Sequence, residues 1–203
     1  MRGALITIEG IDGAGKSTLA TGLVAAFPEL ELLREPGGVE LSERIRSLVK
    51  DPALRVDPRA EALLYAAARA QLVAERVQPL LEAGRPVLLD RFVDSSLAYQ
   101  GVGRELGVDA IRAVNAFGTG GLVPDLTLLL ALDPVEGRAR ASGRGGGPDR
   151  LEQEGDGFFA RIGDAYAALA REEPGRWVVL DATAPPERVL EQARQAVGAE
   201  LKG

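Results

Sequence analysis

A glycine-rich loop near the start of the chain constrains the fold more than any other feature. Residues 10–18 match the phosphate-binding pattern G-x-x-x-x-G-K-S. Glycines in such a loop let backbone N–H groups converge on phosphate oxygens, a lysine reaches the β and γ phosphates, and a serine hydroxyl binds Mg²⁺. We therefore expect these residues to hold the phosphates of ATP, with Mg²⁺ on Ser17: Gly10, Ile11, Asp12, Gly13, Ala14, Gly15, Lys16, Ser17 and Thr18.

The segments on either side of the loop support this interpretation. Leu5–Ile8 is a short apolar run that is typical of a buried strand. Ser17–Phe27 has the apolar spacing of a helix, and Pro28 is placed to end it. A strand, a glycine loop and a helix in this order are the context that the motif requires, and the helix would point its positive end at the bound phosphates.

The rest of the chain alternates strand and helix patterns, with no linker or internal repeat. We expect strands at Leu5–Ile8, Glu31–Leu33, Pro86–Leu89, Leu126–Leu132 and Trp177–Leu180. We expect helices at Ser17–Phe27, Val39–Val49, Pro58–Ala83, Ser95–Gln100, Val108–Phe117, Pro134–Ala141, Gly157–Arg171 and Pro186–Leu201, the third capped by Asp57 and Gly84. This alternation predicts a single α/β domain over residues 1–203, with a doubly wound, five-stranded parallel sheet.

Composition excludes several classes of function. The net charge of −6 argues against a nucleic-acid or membrane-surface binder. The chain has no cysteine and no histidine, which removes thiol catalysis, Ser-His-Asp triads and sites built on His or Cys metal ligands. No apolar run is long enough to span a membrane and no signal-sequence pattern is present, so we expect a cytoplasmic protein.

Charged residues follow two of the expected strands. Asp90 and Arg91 come directly after an apolar run, and Arg34 ends another. Because the carboxyl ends of parallel strands face the ligand crevice, we expect Asp90 near the loop Mg²⁺ and Arg91 near phosphate. A strand-end salt bridge is the alternative for this pair. Arg34 is followed by Glu-Pro-Gly-Gly, and either a second anion site or a purely structural turn fits that pattern.

Residues 142–150 are rich in glycine and arginine. Either a mobile lid over phosphates, at about residues 141–150, or a solvated linker between helices fits this composition. Together with Arg34, Arg91 and Arg140, the segment's Arg144 and Arg150 would give several cations for phosphoryl transfer, which depends mainly on positioning and charge neutralisation. An acceptor that is itself a phosphate is largely ionised at pH 7 and needs no general base, which suits a chain without histidine.

Four blocks together resemble the thymidylate kinase family: the loop at 10–18, R-E-P-G-G at 34–38, D-R-F-V-D-S-S-L-A-Y-Q-G at 90–101, and D-R-L-E at 149–152. The resemblance extends to residues 181–183, most of the chain. It implies the fold of P-loop nucleoside monophosphate kinases, transfer of the γ-phosphoryl group of ATP to dTMP with Mg²⁺, and a cytosolic homodimer.

The same resemblance assigns roles to particular residues. It implies that Tyr65 stacks on thymine, that Arg69 contacts the base edge, and that Tyr99 crowds the 2′ position. Position 13 is Gly where one subgroup carries Arg, so the catalytic arginine is expected in the lid, with Arg144 first and Arg140 second. The implied catalytic residues are Lys16, Asp12, Arg91, Arg144 and Arg140; the dTMP-binding residues are Asp12, Arg34, Tyr65, Arg69, Arg91, Ser95, Ser96, Tyr99 and Gln100; and the metal ligands are Ser17 and Asp90.

Two other interpretations remain open from the residues. Another P-loop nucleoside or nucleotide kinase would share the loop and the arginines but take a different acceptor. A nucleotide-binding regulator without turnover is a second class, which Lys16, Asp90 and Arg91 argue against. A GTPase is disfavoured because its N-K-x-D motif is absent: Asn115 is the only asparagine, and Ala116 follows it.

Overall fold

A computed structural model of the chain describes residues 2–142 and 149–202. Within them, five parallel strands form one sheet in the order β2-β3-β1-β4-β5. The strands are β1 (Leu5–Glu9), β2 (Glu31–Arg34), β3 (Val87–Asp90), β4 (Leu126–Ala131) and β5 (Trp177–Asp181). Each expected strand is confirmed to within one residue at either end. This arrangement confirms the predicted α/β fold.

Helices connect the strands and cover both faces of the sheet. They are α1 (Lys16–Ala26), α2 (Glu40–Lys50), α3 (Pro58–Leu72), α4 (Gln78–Glu82), α5 (Val93–Ser96), α6 (Val108–Thr119), α7 (Pro134–Ser142), α8 (Asp156–Glu172) and α9 (Pro186–Glu200). The Asp57 side chain caps α3 by accepting a hydrogen bond from the Arg59 N–H at 2.9 Å. Gly84, with φ of 75°, follows α4. Both predicted caps are therefore present.

Two predicted helices differ from the structure. The single helix expected over 58–83 contains a π-helical segment at Val73–Val77, between α3 and α4. The helix expected over 95–100 is the short α5 followed by a second π-helical segment, Leu97–Gly103. Apolar spacing indicates which face of a helix is buried. It does not distinguish the i→i+5 hydrogen bonds of a π-helix from the i→i+4 bonds of an α-helix, so no sequence pattern predicts these two segments.

The core lies on both faces of the sheet. Val87 and Leu89 of β3 belong to an apolar cluster with Leu72 and Leu81. Leu88, between them, belongs to the larger cluster that includes Leu19 of α1. Alternate residues of one strand thus pack on opposite sides, which explains why the strand reads as a continuous apolar run. Among the described residues, no helix combines the length and apolarity needed to cross a membrane.

Candidate active site

The glycine-rich loop joins β1 to α1 and takes a backbone that needs its glycines. Gly13 and Gly15 have φ of 84° and 97°. A Cβ atom at Gly13 would also collide with the carbonyl oxygen of Gly137. The loop therefore keeps its N–H groups clear of side chains at the N-terminus of α1, as a phosphate-binding loop requires.

Lys16 lies inside the loop. Its ammonium group donates to the carbonyl oxygens of Gly10 at 3.1 Å and Ile11 at 2.8 Å. The Asp12 carboxylate lies 3.8 Å from the same nitrogen. Burial, helped by the positive charge of Arg91, lowers the pKa of Lys16 to about 8. The ammonium is thus only partly compensated by the protein, and an anion entering the loop would stabilise its charged form.

Asp90 and Arg91 stand where the sequence predicts them, at the end of β3. Asp90 pairs with Arg34 of β2 in the sheet register and with Ile8 of β1. Its Oδ1 is buried, and within residues 2–142 and 149–202 no group hydrogen-bonds to it. A buried carboxylate oxygen without a partner is costly, and Asp90 lines the same cavity as Lys16 and Ser17.

Arg91 organises the centre of the site. It has φ of 73°, rare for a residue with a side chain. Its guanidinium binds the Asp12 carboxylate at 2.7 Å and Ser95 Oγ at 3.1 Å, and it lies over the Tyr99 ring at 5.1 Å. Burial opposes ionisation of Asp12, but Arg91 and then Lys16 outweigh it and hold the pKa of that carboxyl well below its usual range. A fixed cation therefore stands beside the phosphate loop.

Glu9 is a buried acid that the sequence reasoning missed. It ends β1, directly before the loop, and is fully buried. Its carboxylate accepts hydrogen bonds from the Phe92 N–H at 2.8 Å, from Ser95 Oγ at 2.6 Å and from the Tyr166 hydroxyl at 2.9 Å. Through Phe92 and Ser95 it fixes the turn that carries Arg91. The sequence signal that could have identified Glu9 is its position directly after the apolar run Leu5–Ile8.

A cavity of about 320 Å³ runs from the loop to α3. It brings together residues that the sequence analysis assigned to ATP, to the metal and to the acceptor. Additional lining residues come from α2, from the Glu-Pro turn and from the segment after the described gap. The predicted residues in its wall are Asp12, Gly13, Gly15, Lys16, Ser17, Thr18, Arg34, Tyr65, Arg69, Asp90, Arg91, Ser95, Ser96, Tyr99 and Gln100, and those not predicted include Glu35, Arg46, Lys50, Asp149 and Glu152.

Two of the predicted arginines are already engaged by the protein. Arg34 is half exposed and binds Glu43 at 2.8 Å. Arg69 is buried, and its guanidinium donates to Glu35 at 2.6 Å, to Ser96 Oγ at 3.0 Å, to the Phe92 carbonyl at 2.9 Å and to Asn115. Within residues 2–142 and 149–202, these bonds use four of its five N–H groups. Arg69 thus joins α3 to the start of α5 as well as lining the cavity.

Of the two candidate lid arginines, the structure describes Arg140 but not Arg144. Arg140 donates to the Ala182 carbonyl at 2.9 Å and pairs with Glu136, and it is not among the residues that line the cavity. Arg144, the first choice, lies outside the described residues. Beyond the gap, Asp149 pairs with Lys50 of α2 at 2.7 Å, and Arg150 pairs with Glu61 of α3 at 2.7 Å.

The glycine-rich loop thus opens onto a cavity whose wall also carries the cationic side chains of Arg34 and Arg91 and the aromatic ring of Tyr65. A donor loop that shares one cavity with an acceptor pocket, on a five-stranded parallel sheet, is the architecture of a P-loop nucleotide kinase.

Comparison with known proteins agrees with this class and narrows it. The sequence model described as "Thymidylate kinase" matches residues 8–193. The chain is 48% identical over 200 residues to the thymidylate kinase of Deinococcus radiodurans, covering 97% of each chain. It is 48% identical over 190 residues to that of Lactobacillus delbrueckii subsp. bulgaricus, covering 90% of each. The chain belongs to the thymidylate kinase family.

A solved structure agrees with the assignment at the level of the fold. The crystal structure of thymidylate kinase from Ehrlichia chaffeensis superposes with a TM-score of 0.78 at 27% identity. The match covers 98% of this chain and 100% of that one. The resemblance that the motifs indicated is therefore confirmed over the whole length of the fold.

Proposed function

We propose that this member of the thymidylate kinase family transfers the γ-phosphoryl group of ATP to dTMP, giving dTDP and ADP, in the cavity between the glycine-rich loop and α3. One observation carries the proposal: Lys16 of the loop, Arg91 and Tyr65 of α3 line the same cavity. ATP would take the loop side, and dTMP the side of Arg91 and Tyr65.

The chemistry suits an acceptor that is itself a phosphate. The acceptor oxygen is largely ionised near neutral pH, so no side chain has to remove a proton. What the reaction needs is two anions held close together, with their repulsion offset by cations. Lys16 and Arg91 supply such cations from the two sides, and Asp12 holds the Arg91 guanidinium in place at 2.7 Å.

The proposed Mg²⁺ ligands fit a hard cation. Ser17 lines the cavity at the start of α1, and the buried Asp90 Oδ1 has no hydrogen-bond partner in the described residues. Hydroxyl and carboxylate oxygens are the protein ligands that Mg²⁺ prefers. When bound, the ion would offset charge on the transferring phosphates. Ser17 and Asp90 would hold the ion beside the glycine-rich loop.

The acceptor side of the cavity combines an aromatic face with a restricted sugar pocket. Tyr65 is half buried in the cavity wall, and the buried Tyr99 ring is held by Arg91. Tyr65 offers its ring for stacking on a base, and the bulk of Tyr99 would exclude a ribose 2′-hydroxyl. These roles, with those of Arg34, Arg69, Ser95, Ser96 and Gln100 around the deoxynucleotide, form part of the proposal.

We also propose that the chain acts as a homodimer. Phe117 at the end of α6 is 94% exposed, and Leu63 of the neighbouring α3 is 58% exposed. Large apolar side chains on two helices that pack together favour a partner with the same surface. Light scattering on the wild type and on a Phe117→Lys variant tests this, since a dimeric mass is expected only for the wild type. The cytoplasmic location and the single-domain organisation with a lid remain predictions.

A coupled assay of ADP release tests the catalytic proposal. With ATP and Mg²⁺ held constant, the turnover of dTMP is compared with that of dUMP, dCMP and AMP. Preferred turnover of dTMP is expected. Preferred turnover of another monophosphate would make the chain a kinase of that nucleotide, and ATP binding without turnover of any of them would favour a regulatory role.

A further inference from the structure

Glu61, which the assignments above leave without a role, stands behind the base side of the cavity. It lies in the first turn of α3 and is fully buried. Its carboxylate receives Arg104 at 3.0 Å and Arg150 at 2.7 Å, which account for its charge. The same carboxylate also accepts a hydrogen bond from the Gln100 side-chain amide at 2.8 Å. This last contact links a buried ion cluster to a residue of the cavity wall.

The contact between Glu61 and Gln100 fixes the orientation of an amide. An ionised carboxylate can only accept hydrogen bonds, so the Gln100 amide must turn its NH₂ group toward Glu61. Its carbonyl oxygen, Oε1, then points away from Glu61. In the described part of the chain no group donates to this oxygen, although Gln100 is almost fully buried and lines the cavity. Gln100 therefore presents an acceptor, and not a donor, to a ligand.

We propose that Glu61 is a positioning residue for base selectivity: by holding the Gln100 amide, it makes the cavity accept bases with an N–H at ring position 3 and reject cytosine. Thymine and uracil carry that N–H. Cytosine has a lone pair there, which would face Oε1 without a proton between them. A buried acceptor left without a donor costs enough to discriminate strongly between such bases. The inference rests on the proposed function, since it concerns the acceptor of the same site.

The ion cluster explains why this orientation is stable. A lone buried carboxylate would be expensive, but Glu61 is matched by two arginines. Arg104 is in turn paired with Glu154 and lies over the Phe158 ring at 4.9 Å. Arg150 also donates to the Val49 carbonyl at 2.9 Å. The carboxylate is thus held by Arg104, directly after the second π-helical segment, and by Arg150, which α2 fixes in turn. Rotation that releases Gln100 would also disturb these two ion pairs.

The test replaces Glu61 with glutamine and measures the ratio of kcat/KM for dTMP to that for dCMP. A glutamine at position 61 can donate as well as accept, so the Gln100 amide is free to present its NH₂ to cytosine. We expect the ratio to fall by about tenfold or more, with the KM for ATP unchanged. Arg104→Met is the matched control. It removes one cationic partner of Glu61 but leaves the Glu61 carboxylate, which accepts the hydrogen bond from the Gln100 amide. Its ratio should stay within about twofold of the wild type.

Three results would overturn the inference. A folded Glu61→Gln variant with the wild-type ratio would show that Glu61 does not set selectivity. An equal fall in Arg104→Met would assign the effect to the ion cluster and not to the amide. A wild type that does not prefer dTMP over dCMP would overturn the proposed function first, which keeps the two failures distinct. If Glu61→Gln does not fold, the double variant Glu61→Gln/Arg150→Met removes one buried anion and one buried cation together. The ratio of kcat/KM for dTMP to that for dCMP is then measured in this double variant, with the same outcomes.

Discussion

We expect this protein to lose stability as pH rises from 5 to 8. We expect the Glu9→Gln substitution to make that loss smaller. Burial, with the nearby negative charge of Asp94, raises the pKa of Glu9 from 4.5 to about 7. Hydrogen bonds from Ser95 and Phe92 and the charge of Arg91 offset only part of this. The folded protein therefore holds a proton on Glu9 in a pH range where the unfolded chain has released it.

The size of the effect follows from the two pKa values. Because the folded pKa is the higher one, the stabilisation is fully present below about pH 4.5 and is lost as pH rises through about 7. Integration between pH 5 and pH 8 gives a loss on the order of 2 to 3 kcal/mol in the free energy of unfolding from this residue alone. Glu35, which burial also brings to a pKa of about 7, adds a similar loss.

Glutamine suits the site because it is nearly isosteric and can be satisfied there. Its amide oxygen can accept from the Phe92 N–H, and its NH₂ can donate to the hydroxyl oxygens of Ser95 and Tyr166, which now accept. The variant should thus lose the contribution of Glu9 to the pH dependence and keep that of Glu35. Urea unfolding of both proteins at pH 5 and pH 8 measures the difference. The exposed Glu29→Gln controls for the loss of one charge.

The quantity compared between the wild type and the variants is the change in unfolding free energy from pH 5 to pH 8. We expect this change to be smaller in Glu9→Gln than in the wild type by roughly 2 to 3 kcal/mol. An equal decline in both proteins would refute the reasoning, because the Glu9 proton would then not be linked to folding. A smaller decline in Glu29→Gln as well would point to net charge as the cause.

Three further predictions concern substrate binding and turnover. Lys16→Ala should lower kcat by about 10³-fold, because the phosphates lose their cation, and near-normal turnover would exclude that role. Tyr65→Leu should raise the KM for dTMP by about tenfold and leave that for ATP unchanged, with Tyr65→Phe as the control that keeps the ring; an unchanged KM for dTMP would argue against stacking. Arg144→Ala should cost about 10³-fold in kcat, and the same loss in Arg140→Ala alone would move the catalytic role to Arg140.

Local sequence patterns were enough to predict where the glycine-rich loop and the strand-end residues of the site lie in the fold. The order of strand, glycine loop and helix is encoded in adjacent residues, so the loop from Gly10 to Thr18 could be placed on the sheet directly. Asp90 and Arg91 could be placed as well, because they follow a buried strand without a break and the carboxyl ends of parallel strands share one edge.

The partners of the site residues could not be predicted in this way. The resemblance implies that Arg69 contacts the edge of a base, but it carries no information about Glu35, Ser96 and the Phe92 carbonyl, which hold most of its N–H groups. Long-range packing chooses such partners, and no local pattern in the sequence records it. The two π-helical segments were missed for a related reason, since they share the apolar spacing of an ordinary helix.

The sequence by itself determined the fold class, the phosphate loop and the family, because periodicity, glycine spacing and contiguous motifs are local properties of the chain. Only the tertiary structure decided which charged side chains are buried and which groups they contact. Glu9 meets a tyrosine hydroxyl 157 residues away, and Glu61 meets Gln100 39 residues away. The energy of a buried carboxylate depends on the donors and cations that the whole fold brings within 3 Å of it, and these come from segments that the sequence keeps far apart.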